Sequence, residues 1–169
     1  MTEDPLVTRA PHVELLKHLD LDRLQRLPGT VVFVFPLGEI DTDAVLRFIA
    51  RQSGLPQRLF LARVVPTWSA HVPLDRQAES EALCDGLFVT TLRFGLDDAP
   101  DIPLAFARSP AAVLRSPDVT YVVGPETRTP GARDVMTPWR RWLFRLVARP
   151  APPIASYFRL PASCVSPQR

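Results

Sequence analysis

The side chains best suited to chemistry in this sequence are three closely spaced carboxylates, Asp97, Asp98 and Asp101. Carboxylate oxygens are the ligands that hard cations prefer in proteins. The spacing, however, lacks the regular ligand series of a calcium loop. Asp101 also precedes a short helical stretch whose first free backbone N–H groups it can cap. We therefore assign these acids a structural role and predict neither a metal ion nor a cofactor.

The histidines and cysteines show no spacing typical of a metal site or of a nucleophile. His12, His18 and His71 are far apart, and Cys84 and Cys164 are isolated. Zinc sites need clustered nitrogen and sulfur ligands, so none is predicted, and unpaired thiols fit a reducing cytoplasm. The sequence also has no glycine-rich phosphate loop and no Gly-x-Ser-x-Gly turn. We therefore predict that the protein is not an enzyme.

Arginine is concentrated in the last quarter of the chain. From Arg128 to Arg169 there are eight arginines and one acid, so this part carries +7 and the remainder −5, for a net charge of +2. Such a region suits an acidic protein face, phosphate groups or anionic lipid. The simpler explanation is pairing with the acidic remainder of the same domain. The candidate surface for a partner or an anion comprises Arg128, Arg133, Arg140, Arg141, Arg145 and Arg149.

A helix predicted over Thr137–Arg149 carries four of these arginines. Thr137 can cap it, and Pro138 suits its first turn. Its apolar stripe at helical spacing consists of Trp139, Trp142, Leu143, Leu146 and Val147. The pattern fits a helix on an anionic membrane surface, and it equally fits a helix that packs on a sheet and exposes a basic face. We expect packing on the sheet, because the sheet needs a cover.

The element that must position all of these side chains is the run Leu27–Phe35. A Pro28-Gly29 turn is predicted to lead into Val31–Phe35, which is apolar at every position. A strand without a polar face is typical of the centre of a sheet that is covered on both sides. A helix is then expected to begin at Asp41 or Thr42 and to end at Gly54 as a left-handed cap.

The remaining pattern predicts further strands and short helices. We expect a strand parallel to the first, a loop anchored by Trp68, Val72 and Pro73, and a hairpin whose Asp85-Gly86 turn has positive φ at both residues. The corresponding ranges are Arg58–Val65 for the strand, Thr67–Ser80 for the loop, Glu81–Phe94 for the hairpin, Ile102–Ala107 and Ile154–Phe158 for helices, and Val119–Gly124 for the last strand. The predicted fold is α/β: a mixed, mostly parallel sheet with a β-hairpin, covered by helices, with the C-terminal amphipathic helix packed on it.

The length of 169 residues, with 46% hydrophobic and 22% charged residues, fits one globular domain. No stretch approaches the length of a membrane span, and the acidic start lacks the apolar region of a signal peptide. We expect residues 1–25 to be a helical lead-in or linker, residues 26–165 the domain, and residues 166–169 a tail.

Six stretches carry a family resemblance through their order and spacing. They are Arg26–Phe33, Asp85–Phe88, Arg93–Pro103, Val119–Thr127, Trp139–Phe144 and Ser156–Pro161. Together they resemble the C-terminal cytoplasmic domain of bacterial KUP-type potassium uptake transporters. The sequence departs from that pattern at residues 44–54, in the Gly124-Pro125-Glu126 stretch, and from Cys164 onward, where the final strand-like end is missing.

The resemblance implies a non-catalytic α/β domain that helps assembly or regulation at the inner face of the cell membrane and lies outside the potassium pathway. Its implied partners are the membrane part of the transporter, a second copy of the domain, or the anionic membrane surface, and no nucleic acid polymer is expected. Two alternatives remain: a domain that senses nucleotides or cyclic dinucleotides through its arginines, and a stand-alone paralogue that interacts with a transporter.

Overall fold

A computed structural model describes residues 23–36, 39–109, 118–124, 154–162 and 165–166 of the chain. The strands are β1 (Arg26–Phe35), β2 (Leu55–Pro66), β3 (Ala78–Cys84), β4 (Leu87–Phe94), β5 (Val119–Val123) and β6 (Val165–Ser166). The helices are α1 (Thr42–Gln52), α2 (Ile102–Arg108) and α3 (Ile154–Tyr157), and a 3-10 turn spans Leu74–Arg76.

The six strands form one sheet in the order β3-β4-β2-β1-β5-β6. All neighbouring strands are parallel except β3 and β4, which form an antiparallel hairpin. The mixed, mostly parallel α/β sheet predicted from the sequence is therefore confirmed. The chain runs from β1 to the neighbouring β2 and on to the edge strand β3, returns through β4 beside β2, and then crosses to β5 on the other side of β1.

The predicted central position of the first strand is confirmed. Val32, Phe33 and Val34 are fully buried, and β1 lies between β2 and β5. Successive side chains of a strand point to opposite faces of the sheet, so this one strand supplies two cores. Phe33 packs in the layer that contains α1, whereas Val32 and Val34 pack in the layer that contains α2 and Phe158.

The Pro28-Gly29 pair does not precede the strand as predicted. It lies inside β1, where the register with β2 shifts between Leu27 and Thr30 and Gly29 has a φ of 107°. The pair therefore forms an irregularity within the strand. Regular pairing resumes at Thr30. This residue lies opposite Arg58 of β2, and its N–H donates to the carbonyl of Asp118 at 3.2 Å.

Helix α1 begins where the sequence predicted and ends differently. The Asp41 carboxylate accepts a hydrogen bond from the N–H of Ala44 at 3.0 Å, and Val45, Phe48 and Ile49 are buried. The left-handed residue at its end is Ser53, with a φ of 54°, and not Gly54. Gly54 has a different role, because a Cβ there would lie 2.7 Å from the carbonyl oxygen of Gln25.

Substitutions at these two positions should have opposite effects. Gly54→Ala should lower the free energy of unfolding by about 2 kcal/mol, because the added methyl group meets backbone that cannot shift freely. Ser53→Gly should raise it by about 0.5 kcal/mol, because glycine adopts left-handed φ without a steric penalty. Urea denaturation of both variants measures the difference. A Gly54→Ala protein as stable as the wild type would contradict the close approach.

The hairpin is confirmed, but its turn and the loop before it differ from the prediction. Gly86 has a φ of 76°, whereas Asp85 does not have positive φ, and the register shifts between Ala82 and Cys84. The irregular pairing in β3 lets the turn close with one left-handed residue. The preceding loop is shorter than predicted, because β3 already begins at Ala78. Trp68 does not anchor that loop, since 69% of its surface is exposed.

The C-terminal residues that the structure describes complete the sheet. Val165–Ser166 pairs with β5 as a short parallel strand, so the expectation that the strand-like end is missing was wrong. The short helices at Ile102–Arg108 and Ile154–Tyr157 are close to their predicted ranges. The predicted Thr137–Arg149 helix and residues 1–22 lie outside the described residues. Within the described part of the chain, no helix combines the length and the apolar character that a membrane crossing requires.

Candidate functional site

A polar site joined by hydrogen bonds lies at the edge where β2 and β4 end. Because these neighbouring strands are parallel, the loops that follow them, residues 67–73 and 95–98, leave the sheet side by side. Backbone hydrogen bonds join the loops: the N–H of Leu96 donates to the carbonyl of Ser69, and that of Asp97 to the carbonyl of Ala70, both at 2.9 Å. Hydrogen bonds therefore join the two loops into one unit.

Asp98 is the centre of this unit. Its Oδ2 accepts hydrogen bonds from the N–H of Gly95 at 2.7 Å and from that of Val72 at 2.9 Å. Its Oδ1 lies 2.8 Å from Nδ1 of His71. The Asp98 side chain is only 11% exposed, whereas that of His71 is 70% exposed. We call these four residues the Asp98 clasp.

The clasp favours the ionised form of its carboxylate. Burial alone would raise the pKa of Asp98, but the hydrogen bonds from Gly95 and Val72, together with the His71 ring, outweigh burial and lower that pKa below its ordinary value. A buried carboxylate that receives several hydrogen bonds stabilises the loops it joins. The structure thus gives this acid a role in fixing the shape of the edge.

The other predicted acids also have positions that the structure describes. Asp101 caps α2, as predicted, with its Oδ1 accepting from the N–H of Leu104 at 2.9 Å and its Oδ2 lying 3.5 Å from Arg159. Asp97 is exposed. Among the described residues, no cluster of three or more potential ligands is placed to hold a metal ion.

The His71–Asp98 pair resembles the base half of a hydrolytic triad, which also needs a hydroxyl or thiol nucleophile on the histidine. In the part of the chain that the structure describes, the hydrogen bond of the His71 ring is the one to Asp98. Cys84 is a half-buried cysteine in the hairpin, outside the two loops. The arrangement is therefore suited to holding loops in place, and it does not bring acid, base and nucleophile together.

A second group of polar side chains, which the sequence reasoning missed, lies on β2, β3 and β4. Arg63 donates from Nε to Oγ1 of Thr91 at 3.0 Å. Arg93 forms an ion pair of 2.7 Å with Glu79. The sequence pattern that could have indicated this group is an arginine within each of two apolar strands. Only the strand register shows that these two arginines are neighbours.

Six arginines were predicted to form a partner or anion surface. Arg128, Arg133, Arg140, Arg141, Arg145 and Arg149 all lie outside the described residues. The chain enters that segment after Gly124, whose N–H donates to the carbonyl of Val34 at 2.7 Å. Gly124, the last described residue before that segment, thus lies next to the central strand β1.

Comparisons with known proteins agree with the resemblance in the sequence. Residues 28–166 match the family model described as K+ potassium transporter C-terminal domain. The probable potassium transport system protein Kup of Pseudomonas aeruginosa strain UCBPP-PA14 is 35% identical over 142 residues, which cover 83% of this chain and 22% of that protein. No solved structure gives a significant match.

Relatives from other bacteria show the same pattern. The probable potassium transport system protein Kup of Anaeromyxobacter sp. is 30% identical over 151 residues, and that of Zymomonas mobilis is 28% identical over 142 residues. In each case the match covers 83% of this chain and 22% of the relative, so the chain spans about a fifth of the length of these proteins. The chain therefore belongs to the family of C-terminal domains of KUP-type potassium transporters.

Proposed function

We propose that this chain acts as the cytoplasmic, non-catalytic domain of a KUP-type potassium transporter, where it supports assembly or regulation of the membrane part. The observation that carries the proposal is the family match over residues 28–166, to relatives that are named as potassium transport proteins. The described structure is compatible with this role, because its organised polar features fix loops and strands. In this proposal, potassium transport itself belongs to the remainder of the relatives' length.

A chimeric transporter tests this proposal. The C-terminal 142 aligned residues of the Pseudomonas aeruginosa relative would be replaced by the matching residues of this chain. We expect the chimera to reach the membrane and to restore growth of a potassium-uptake-deficient bacterium at low potassium. The same transporter truncated before the domain should restore growth weakly or fail, because its membrane part lacks the domain that supports assembly.

The controls separate folding from function. A chimera carrying Phe33→Asp should behave like the truncated transporter, because a charge in the buried centre of β1 prevents folding. Membrane abundance, measured by immunoblotting, distinguishes loss of assembly from loss of regulation. A truncated transporter that supports uptake as well as the chimera would overturn the proposed role.

The arginine-rich segment supplies the second part of the proposal. We place the partner contact on Arg128, Arg133, Arg140, Arg141, Arg145 and Arg149, against an acidic transporter face, a second copy, or the anionic inner surface of the membrane. Flotation of the purified chain with anionic vesicles at low salt tests the membrane contact, and an absence of binding would remove it. No described contact favours nucleotide or cyclic-dinucleotide sensing over the assembly role.

A further inference from the structure

Two arginines lie on the same face of the sheet, on adjacent strands. Arg63 of β2 stands opposite Thr91 of β4, and Arg93 is two residues further along β4, opposite Val65. Residues two apart on a strand share a face, so Arg63 and Arg93 are diagonal neighbours. Diagonal neighbours on paired strands are within reach of long side chains. The register alone therefore brings two guanidinium groups together.

The guanidinium of Arg63 is partly buried but makes few hydrogen bonds within the described part of the chain. On the β1 side its neighbour in register is Phe35, which is almost fully buried. Its guanidinium is half-buried, and in the described part of the chain its one hydrogen bond is the bond from Nε to Thr91. Burial, followed by the nearby positive charge of Arg93, lowers the pKa of Arg63 from its ordinary value. This bond holds Nε against Thr91, and the two terminal nitrogens of the guanidinium take no part in it.

Arg93 is only partly neutralised by its own partner. Glu79 lies 2.7 Å from Arg93, and its side chain is 74% exposed. Arg63, Arg93 and Glu79 together carry a net charge of +1. A half-buried guanidinium beside a second one is costly without a nearby carboxylate. Among these three described side chains, positive charge therefore exceeds negative charge by one.

We propose that Arg63 and Arg93 form a docking point for a carboxylate side chain in an acidic segment of a partner protein. The planar guanidinium fork matches a carboxylate, with which it can form two parallel hydrogen bonds. The net charge of +1 favours this singly charged occupant over a phosphate group, which carries nearly two negative charges and would be repelled more strongly by Glu79. Trp68 is exposed in the loop that follows β2 and is a residue type enriched at interface centres.

The proposal can be tested on the full 169-residue chain with a hexaglutamate peptide as the probe. We expect saturable NMR shifts of the Arg63 and Arg93 Nε–H signals at low salt, and none with hexaglutamine. Arg63→Met should weaken hexaglutamate binding by about tenfold, because it removes a charged hydrogen-bonding partner. The matched control is Arg47→Met, which removes one exposed positive charge from α1 and should leave the affinity unchanged within about twofold.

Thermal unfolding distinguishes docking from a structural role. Arg63→Met keeps the apolar stem and removes a half-buried charge, so its midpoint should be no lower than that of the wild type. A lower midpoint would mean that Arg63 serves stability, and it would overturn the proposal. Equal losses of binding in Arg63→Met and Arg47→Met would also overturn it, as would binding of inorganic phosphate at these signals in preference to hexaglutamate. These outcomes do not depend on the transporter chimera.

Discussion

Phe33→Ala should lower the free energy of unfolding by about 4 kcal/mol. Phe33 is fully buried at the centre of β1. Its ring stacks on that of Phe35, with centroids 4.8 Å apart, and meets the edge of Phe48 of α1 at 5.5 Å. Truncation removes these contacts and leaves a cavity between the sheet and α1.

The cavity should persist because the surroundings cannot fill it. Gly124 lies against this ring: a Cβ built there would be 3.0 Å from Cε1 of Phe33. A glycine has no side chain that can move into the vacated space, and the paired strands on both sides of β1 resist collapse. Truncations that leave an unfilled cavity lie at the costly end of the observed range.

Urea denaturation of the purified chain measures this effect. Leu46→Ala on α1 is the matched control, because Leu46 is exposed and its truncation should cost less than about 1 kcal/mol. A Phe33→Ala protein that loses less than about 2 kcal/mol would show that the two layers around β1 repack. It would then contradict the assignment of β1 as the rigid centre of the fold.

The sequence was sufficient for those elements whose signals are local. The continuous apolar run of β1 requires burial on both faces, and the Asp-Gly turn requires a hairpin. The stripe of Val45, Phe48 and Ile49 places one face of α1 on the sheet. In each case the deciding residues lie within a few positions of each other, so pattern alone determines the element.

Details at the ends of elements were less predictable, because several residues can satisfy the same requirement. The chain turns at Ser53 although Gly54 follows it, since Gly54 is needed where β2 begins close to the carbonyl of Gln25. Trp68 was expected to be an anchor because large apolar side chains are usually buried. Its loop is instead held by the carboxylate of Asp98, so the tryptophan remains exposed.

The candidate sites depend on contacts that no local pattern records. Val72 and Asp98 are 26 positions apart, and they meet only because β2 and β4 are parallel neighbours. Arg63 and Arg93 become a pair for the same reason. The strand order, rather than the spacing of residues in the sequence, creates both the clasp and the basic pair.

Asp98→Ala should lower the free energy of unfolding by about 3 kcal/mol. The substitution leaves the N–H groups of Gly95 and Val72 without their charged acceptor, and each unsatisfied buried donor costs about 1–3 kcal/mol. The contact with His71 adds little, because that ring is mostly exposed and its interaction is screened by water. Asp97→Ala, at an exposed neighbouring acid, is the control and should be nearly neutral.

The same clasp should make stability depend on pH in a defined direction. The pKa of Asp98 is lowered in the folded protein, so at acidic pH the unfolded chain binds a proton more readily than the folded one. The contribution of Asp98 is therefore fully present above the unfolded pKa of about 3.9, and it is lost as pH falls through the lower folded value. Asp98→Asn cannot ionise, so the difference in unfolding free energy between wild type and this variant should shrink as the pH is lowered from 6 towards 2. A difference that stays constant over that range would mean that the carboxylate charge does not hold the two loops together.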